Sequence, residues 1–222
     1  MTHLLHLDAS ARTRSFSRRV SGAFAQAWEA AGGSRTYRDL AAAPIPHLGE
    51  AWTEICDHLL AHGITDIDRY TEAVTTPARA AAWEVVEPLL AELLAADVIL
   101  IGTPMYNYSV PAALKAWIDQ ITFPRMSLAG RRVVVASARG GSYVPGAPKA
   151  AYDYQERYLR DFLAGHLALL DVEFLHAELA NSVVDPVLAG RREAHEASLS
   201  AALEAAARLG RERVSHTMGA AS

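Results

Sequence analysis

Short apolar runs alternate along this chain with longer stretches of helical period. Leu4 to Leu7 is an uninterrupted apolar run apart from His6, and it ends at the turn signal Asp8-Ala9-Ser10. Continuous runs of that length fit strands buried on both faces, as in a parallel sheet. From Phe16 the period becomes helical, with Val20, Phe24, Ala27 and Trp28 on one side, and Gly32-Gly33 stops the helix. Thr36 to Leu40 reads as a second, more polar strand. A segment broken by Pro44 and Pro46 follows, and then a helix over 51–62. Thr76-Pro77 pairs an N-cap with proline at the first helical position. It predicts a long helix to about Ala95, with Pro88 a candidate kink.

Asp97 to Ile101 predicts a third strand, and Ala112 to Ile121 the helix after it. Arg132 to Ser137, centred on Val133-Val134-Val135, predicts a fourth strand. A helix over 155–169, a strand over 172–177 and a closing helix over 189–211 complete the pattern. Strict alternation of strand and helix predicts one parallel sheet with helices on both faces. Five strands in this length fit the doubly wound order 2-1-3-4-5, a three-layer α/β sandwich. Residues 1–213 then form a single domain, and 214–222 read as a flexible tail.

In that order the loops after strands 1, 3 and 4 meet at one edge of the sheet, where ligands bind in such folds. These loops hold the unusual chemistry. The first offers Ser10, Arg12, Arg14, Ser15 and Ser17 ahead of a helix N-terminus, whose amides and dipole attract anions. A phosphate is the matching ligand, although Ser15 or Ser17 alone also fits a plain N-cap. The second is Thr103-Pro104-Met105-Tyr106-Asn107-Tyr108-Ser109, two rings and a carboxamide suited to a flat, partly polar ligand. The third is Ala138-Arg139-Gly140-Gly141-Ser142-Tyr143, where paired glycines allow close backbone approach. Together they describe a pocket for a mononucleotide that carries a flat ring.

Composition narrows the partners. The chain has 222 residues, 51% hydrophobic and 21% charged, with net charge −4 and pI about 6.1. No global basic field exists to recruit nucleic acid. The single cysteine, Cys56, excludes an internal disulfide and a cysteine-based metal cluster. The N-terminus has no basic leader or apolar core, and no window approaches the ~18 apolar residues of a membrane span. A cytoplasmic protein is expected. His58 and His62 share a helix face, but no third ligand is evident and no metal is expected. No Gly-x-Ser-x-Gly elbow, Gly-x-Gly-x-x-Gly fingerprint or Walker loop occurs.

The chain resembles the FMN-dependent NADH azoreductases and NAD(P)H quinone oxidoreductases of flavodoxin-like fold. The matching residues are Ser10 with Ser15-Phe16-Ser17, Arg38-Asp39-Leu40, Pro44-Ile45-Pro46, Pro104-Met105-Tyr106-Asn107-Tyr108, Ala138-Arg139-Gly140-Gly141, Tyr158-Leu159 and Phe162-Leu163. Order and spacing agree from residue 4 to about 180. The resemblance implies that Ser10, Ser15, Phe16 and Ser17 hold the phosphate of a tightly bound FMN. It implies that Pro104 to Tyr108 line the flavin, and that Ala138 to Gly141 close over it. NADH or NADPH would be a transient hydride donor, and a quinone, azo or similar aromatic compound the acceptor. A homodimer with sites at the interface is also implied. No catalytic side chain is certain; Arg139 and Tyr143 are the candidates for electrostatic and acceptor-side roles. A flavodoxin-type electron carrier, or a member dedicated to one biosynthetic reduction, is the alternative. One departure is that 121–130 is shorter than the family's segment there, which usually walls the acceptor pocket. Another is His166, in a stretch that the family tends to keep apolar.

Overall fold

The computed structural model describes the backbone of residues 2–219 and the side chains of 2–214. Five strands, β1 (His3–Asp8), β2 (Ser34–Asp39), β3 (Val98–Pro104), β4 (Arg132–Ala138) and β5 (Asp171–Ala177), form one parallel sheet. Its order is β2-β1-β3-β4-β5, as the alternation predicted. Helices α1 (Phe16–Ala30), α2 (Glu50–Ala61), α3 (Pro77–Ala95), α4 (Ala112–Ile121), α5 (Tyr154–Leu167) and α6 (Arg192–Gly219) make the outer layers.

The pleat divides the core in two. Leu5, Leu7, Ile99, Ile101, Val133 and Val135 face the layer of α2 to α5. Leu4, Val98, Leu100, Val134 and Ala136 face α1 and α6, where Phe24 and Trp28 are fully buried. Successive side chains of a strand point to opposite faces, so strands covered on both sides must be apolar throughout. Caps fix where the helices begin. Ser15 Oγ accepts from the Arg18 N–H, Thr76 Oγ1 from the Arg79 N–H, and Asp153 Oδ1 from the Glu156 N–H.

Three element boundaries differ from the sequence pattern. β3 runs to Pro104 rather than Ile101, because β4 offers backbone partners as far as Ala138. α3 stays helical through Pro88. The stretch from Pro186 to Arg191 is a 3-10 turn capped by Asp185, so α6 starts at Arg192 and not at 189. α6 then continues to Gly219, past the predicted end at 211 and through most of the expected tail, and 220–222 lie outside the described residues. The segment 121–130 folds inward, with Phe123, Met126 and Leu128 buried and the Leu128 N–H bonded to the Leu167 carbonyl. Among the described residues it lines no part of the cavity below. No helix of the described residues is long and apolar enough to cross a membrane.

Candidate active site

The carboxyl ends of β1, β3 and β4 surround a cavity of about 800 Å3. Ser10, Ser15, Phe16, Pro104, Met105, Tyr106, Asn107, Tyr108, Ala138, Gly140, Gly141 and Tyr143 line it, so twelve of the sequence-predicted residues meet in one place. Arg12, Arg14 and Lys149 add three cations, and no carboxylate is among the lining residues. The local field is positive in a chain whose net charge is −4.

The first wall is the entry to α1. Ser15 caps the helix, and the amides of Phe16 and Ser17 have no protein acceptor among the described residues. That end is an anion site by geometry. An ion network holds the loop from beneath. Arg18 Nη2 donates to the Ser10 carbonyl and to Asp39 Oδ1, both at 2.8 Å. Arg18 Nη1 donates to Tyr37 Oη, and Tyr37 donates to Asp8 Oδ2 at 3.1 Å. Ser21 Oγ donates to Asp8 Oδ1 at 2.9 Å. The Arg18 hydrogen bond holds the Asp39 carboxyl below its usual range, and burial raises the Tyr37 hydroxyl. Gly102 makes room for this network, since a Cβ there would lie 2.0 Å from Asp8 Oδ1.

The second wall is a tight turn. Tyr106 and Ser109 exchange backbone bonds of 3.0 and 2.9 Å. Asn107 (φ 49°) and Tyr108 (φ 68°) occupy the left-handed region between them. Asparagine tolerates that conformation, whereas a tyrosine there is strained. Strain of this kind collects at ligand clamps. The turn leaves the amides of Asn107 and Tyr108 without protein acceptors among the described residues. Gln155 anchors it by donating to the Pro104 carbonyl at 2.8 Å, while Gln155 Oε1 accepts from Ser137 Oγ at 2.5 Å. The Tyr108 ring stands 5.5 Å from Tyr152 and 6.4 Å, edge-on, from Tyr143.

Two side chains are placed differently from expectation, the first of them in the third wall. The Arg139 side chain does not line the cavity. It is 2% exposed and turns inward to Asp153 (2.8 Å), Glu178 (3.3 Å) and Glu156 (3.4 Å). Glu178 Oε2 also accepts the Tyr143 N–H at 2.6 Å, so this cluster shapes the loop. A hydrogen bond from His176, with Arg160 adding to it, lowers the Glu156 carboxyl to about 2. Gly140 is needed for packing as well as for ligand approach: a Cβ there would lie 2.7 Å from Asn181 Nδ2. The amides of Gly140 and Gly141 have no protein acceptor among the described residues. Ser17 is the other departure. Its side chain is fully buried, 3.2 Å from Ser15 Oγ, so only its amide can serve an anion.

Sequence reasoning missed Lys149 and the segment Ala180, Asn181, Val183 and Val184, which complete the cavity. The strand order held the signal, because the end of β5 lies beside that of β4. His58 and His62 stack at 4.0 Å on the surface, and no group of three His, Cys, Asp or Glu forms a metal site among the described residues.

Free amides at a helix entry, hydroxyls, three cations and a turn bearing aromatic rings, all at the carboxyl edge of a doubly wound sheet, make a cavity of the kind that suits a mononucleotide. The chain belongs to the family of flavodoxin-like fold, whose sequence profile matches residues 2–205. It is 64% identical over 214 residues to a Nocardia farcinica protein named FMN-dependent NADH:quinone oxidoreductase, covering 96% of this chain and 99% of that one. It shares its fold with an azoreductase from Bacillus anthracis (TM-score 0.74, 22% identity, 96% of this chain and all of that one). A second solved structure from that organism, an FMN-dependent NADH-azoreductase in complex with FMN, superposes with TM-score 0.72 at 21% identity over 94% of this chain and all of that one.

Proposed function

We propose that the protein is an FMN-dependent NADH:quinone oxidoreductase that also accepts azo and similar flat aromatic compounds. The observation that carries this is the composition of the 800 Å3 cavity: an anion site at one end, a wall of rings and free amides along it, and no carboxylate. The name of the Nocardia farcinica relative supports the same reading. FMN, when bound, supplies the ring that accepts hydride from NADH or NADPH and passes it on.

The chain's own residues bind, orient and shield. The amides of Phe16 and Ser17, with the Ser10 and Ser15 hydroxyls, hold the phosphate, and Arg12 and Arg14 add charge. The amides of Asn107, Tyr108, Gly140 and Gly141, which have no protein acceptor among the described residues, would be the donors to the ring. Preorganised donors of this kind matter most where negative charge develops. Tyr108 and Tyr143 flank the place where a flat acceptor would stack. Arg139 acts as a positioning residue, through Glu178 on the Tyr143 amide. The cofactor is held tightly and the nicotinamide nucleotide visits.

The protein is also proposed to be a homodimer, with a partner seated in the groove between α4 and α5. Leu48, Trp52, Ile118, Tyr158, Phe162 and His166 are among its lining residues. It continues past Lys115 and Tyr158 to Tyr106 and Asn107, which also line the cofactor cavity. A partner there would touch the flavin wall. The enzyme would work in the cytoplasm, where NADH and FMN are supplied.

Stopped-flow mixing of the FMN-loaded protein with NADH, followed by a quinone, tests the activity. Rapid bleaching and reoxidation by the quinone are expected. Flavin that NADH leaves oxidised would favour an electron carrier.

A further inference from the structure

Three cations line the large cavity, but only two belong to its phosphate end. Arg12 and Arg14 come with the loop that enters α1. Lys149 comes from the third wall, in the loop between β4 and α5. The chain has two lysines among its 21 Lys and Arg side chains. The other, Lys115, is paired with Asp119 on α4.

Lys149 is placed over Gly141. Its Cδ lies 3.5 Å, and its Nζ 3.9 Å, from the point that a Cβ on Gly141 would occupy. Tyr143 Cε2 lies 3.7 Å from the same point. The ammonium and the Tyr143 ring therefore stand together on one part of the cavity wall, which the missing side chain of Gly141 leaves open. The backbone holds Lys149 there. Its carbonyl accepts the Tyr152 N–H at 2.9 Å, at a 3-10 turn over Ala150–Tyr152. The Tyr152 ring in turn lies 5.5 Å from Tyr108. The cation is thus built into an aromatic rim formed by Tyr108, Tyr143 and Tyr152.

The protein does not neutralise this charge. Among the described residues the Lys149 ammonium has no hydrogen-bond or ion-pair partner. Asp153, the nearest carboxylate along the chain, is held by Arg139 at 2.8 Å. Glu178 and Glu156 turn to the same guanidinium, at 3.3 and 3.4 Å. Arg139 gathers the three acids of this wall beneath the loop, and none of them lines the cavity. A lysine left free in this way is a flexible point charge, suited to a single anionic group.

We propose that Lys149 selects acceptors, favouring flat quinones or azo compounds that carry a carboxylate or sulfonate. The proposal rests on the reading that FMN fills the cavity and that Tyr108 and Tyr143 flank the acceptor. The acceptor ring stacks beside the two tyrosines, and the ammonium takes the anionic substituent at its edge. The phosphate of FMN is held at the α1 entry and does not compete for Lys149. A neutral quinone stacks as well but gains nothing from the ammonium. Lys149 is a specificity residue and takes no part in the hydride step.

Steady-state kinetics of the FMN-loaded protein with a naphthoquinone sulfonate and with unsubstituted naphthoquinone test this. Lys149→Met keeps the aliphatic stem and removes the charge. It should lower kcat/KM for the sulfonate about tenfold, through KM, the order of one charge-assisted hydrogen bond. KM for the neutral quinone and KM for NADH should not change, and Lys149→Arg should keep the parent's preference. Added salt should raise KM for the sulfonate in the parent protein and not in Lys149→Met, because screening acts on the charge pair. Comparing each quinone with itself across the variants removes the difference between their reduction potentials. An equal effect on both quinones, or an unchanged KM for the sulfonate, overturns the proposal. So does a rise confined to KM for NADH, which would give the ammonium to the donor's phosphates. Bleaching by NADH is read first: flavin that is not taken up, or stays oxidised, overturns the underlying reading and the proposal with it. Normal bleaching confines any failure to Lys149.

Discussion

Arg139→Met isolates what the buried acidic cluster contributes. The substitution keeps most of the side-chain volume and removes one positive charge from among three carboxylates, at 2.8, 3.3 and 3.4 Å. Breaking a buried pair by removing one partner costs about 3–5 kcal/mol, because the other charge is left uncompensated. Glu178 is 7% exposed, but Asp153 and Glu156 are 15% and 25% exposed and reach water, which argues for the lower end. A loss of about 3 kcal/mol corresponds to a fall in Tm of roughly 6–12 °C for a chain of this length. Urea denaturation at pH 7 and pH 5 measures the loss. Stranded carboxylates take up protons more readily, so the deficit against the parent protein should shrink at pH 5. FMN affinity should fall as well, since Glu178 also holds the Tyr143 amide. A deficit below about 1 kcal/mol at pH 7 would contradict the destabilisation rule for buried pairs as applied here. So would a deficit that does not change with pH.

Other substitutions probe other links. Asn107→Asp places negative charge near the reduced flavin and should weaken FMN binding or slow bleaching by NADH; stopped-flow absorbance reads both. Gly140→Ala should displace Asn181 and loosen the 180–184 segment, seen as faster amide exchange there while the sheet stays protected. Glu156 has a folded pKa of about 2 against an ordinary 4.5. Its contribution to stability is therefore complete above pH 4.5 and lost as pH falls from 4.5 towards 2. Glu156→Gln should flatten the stability profile across that window in an acid titration. Burial pushes the Cys56 thiol up to about 12. It should resist a thiol reagent at pH 8 in the native protein and react only on unfolding.

The sheet and its order were legible because buried strands are continuous apolar runs and the helices between them carry their own caps. Val133 to Val135 and Thr76-Pro77 are the plainest cases. Twelve cavity residues were legible for a related reason: strand order alone brings three loop ends together. What stayed hidden depends on side-chain direction. Nothing local tells that Arg139 turns inward, since its partners Asp153, Glu156 and Glu178 lie 14, 17 and 39 positions away. The family resemblance gives Ser17 to the phosphate, yet its hydroxyl turns to Ser15 within the helix entry. The left-handed pair Asn107-Tyr108 was half visible, because asparagine signals such a turn and tyrosine does not. Lys149 and Asn181 enter the cavity from loops that bear no motif.

The visible absorption spectrum of the purified protein, taken anaerobically before and after NADH, tests most directly that the large cavity holds FMN and that NADH reduces it. Flavin bands that bleach on adding NADH and return with a quinone are the predicted result. A colourless protein that leaves the fluorescence of added FMN unquenched would contradict it.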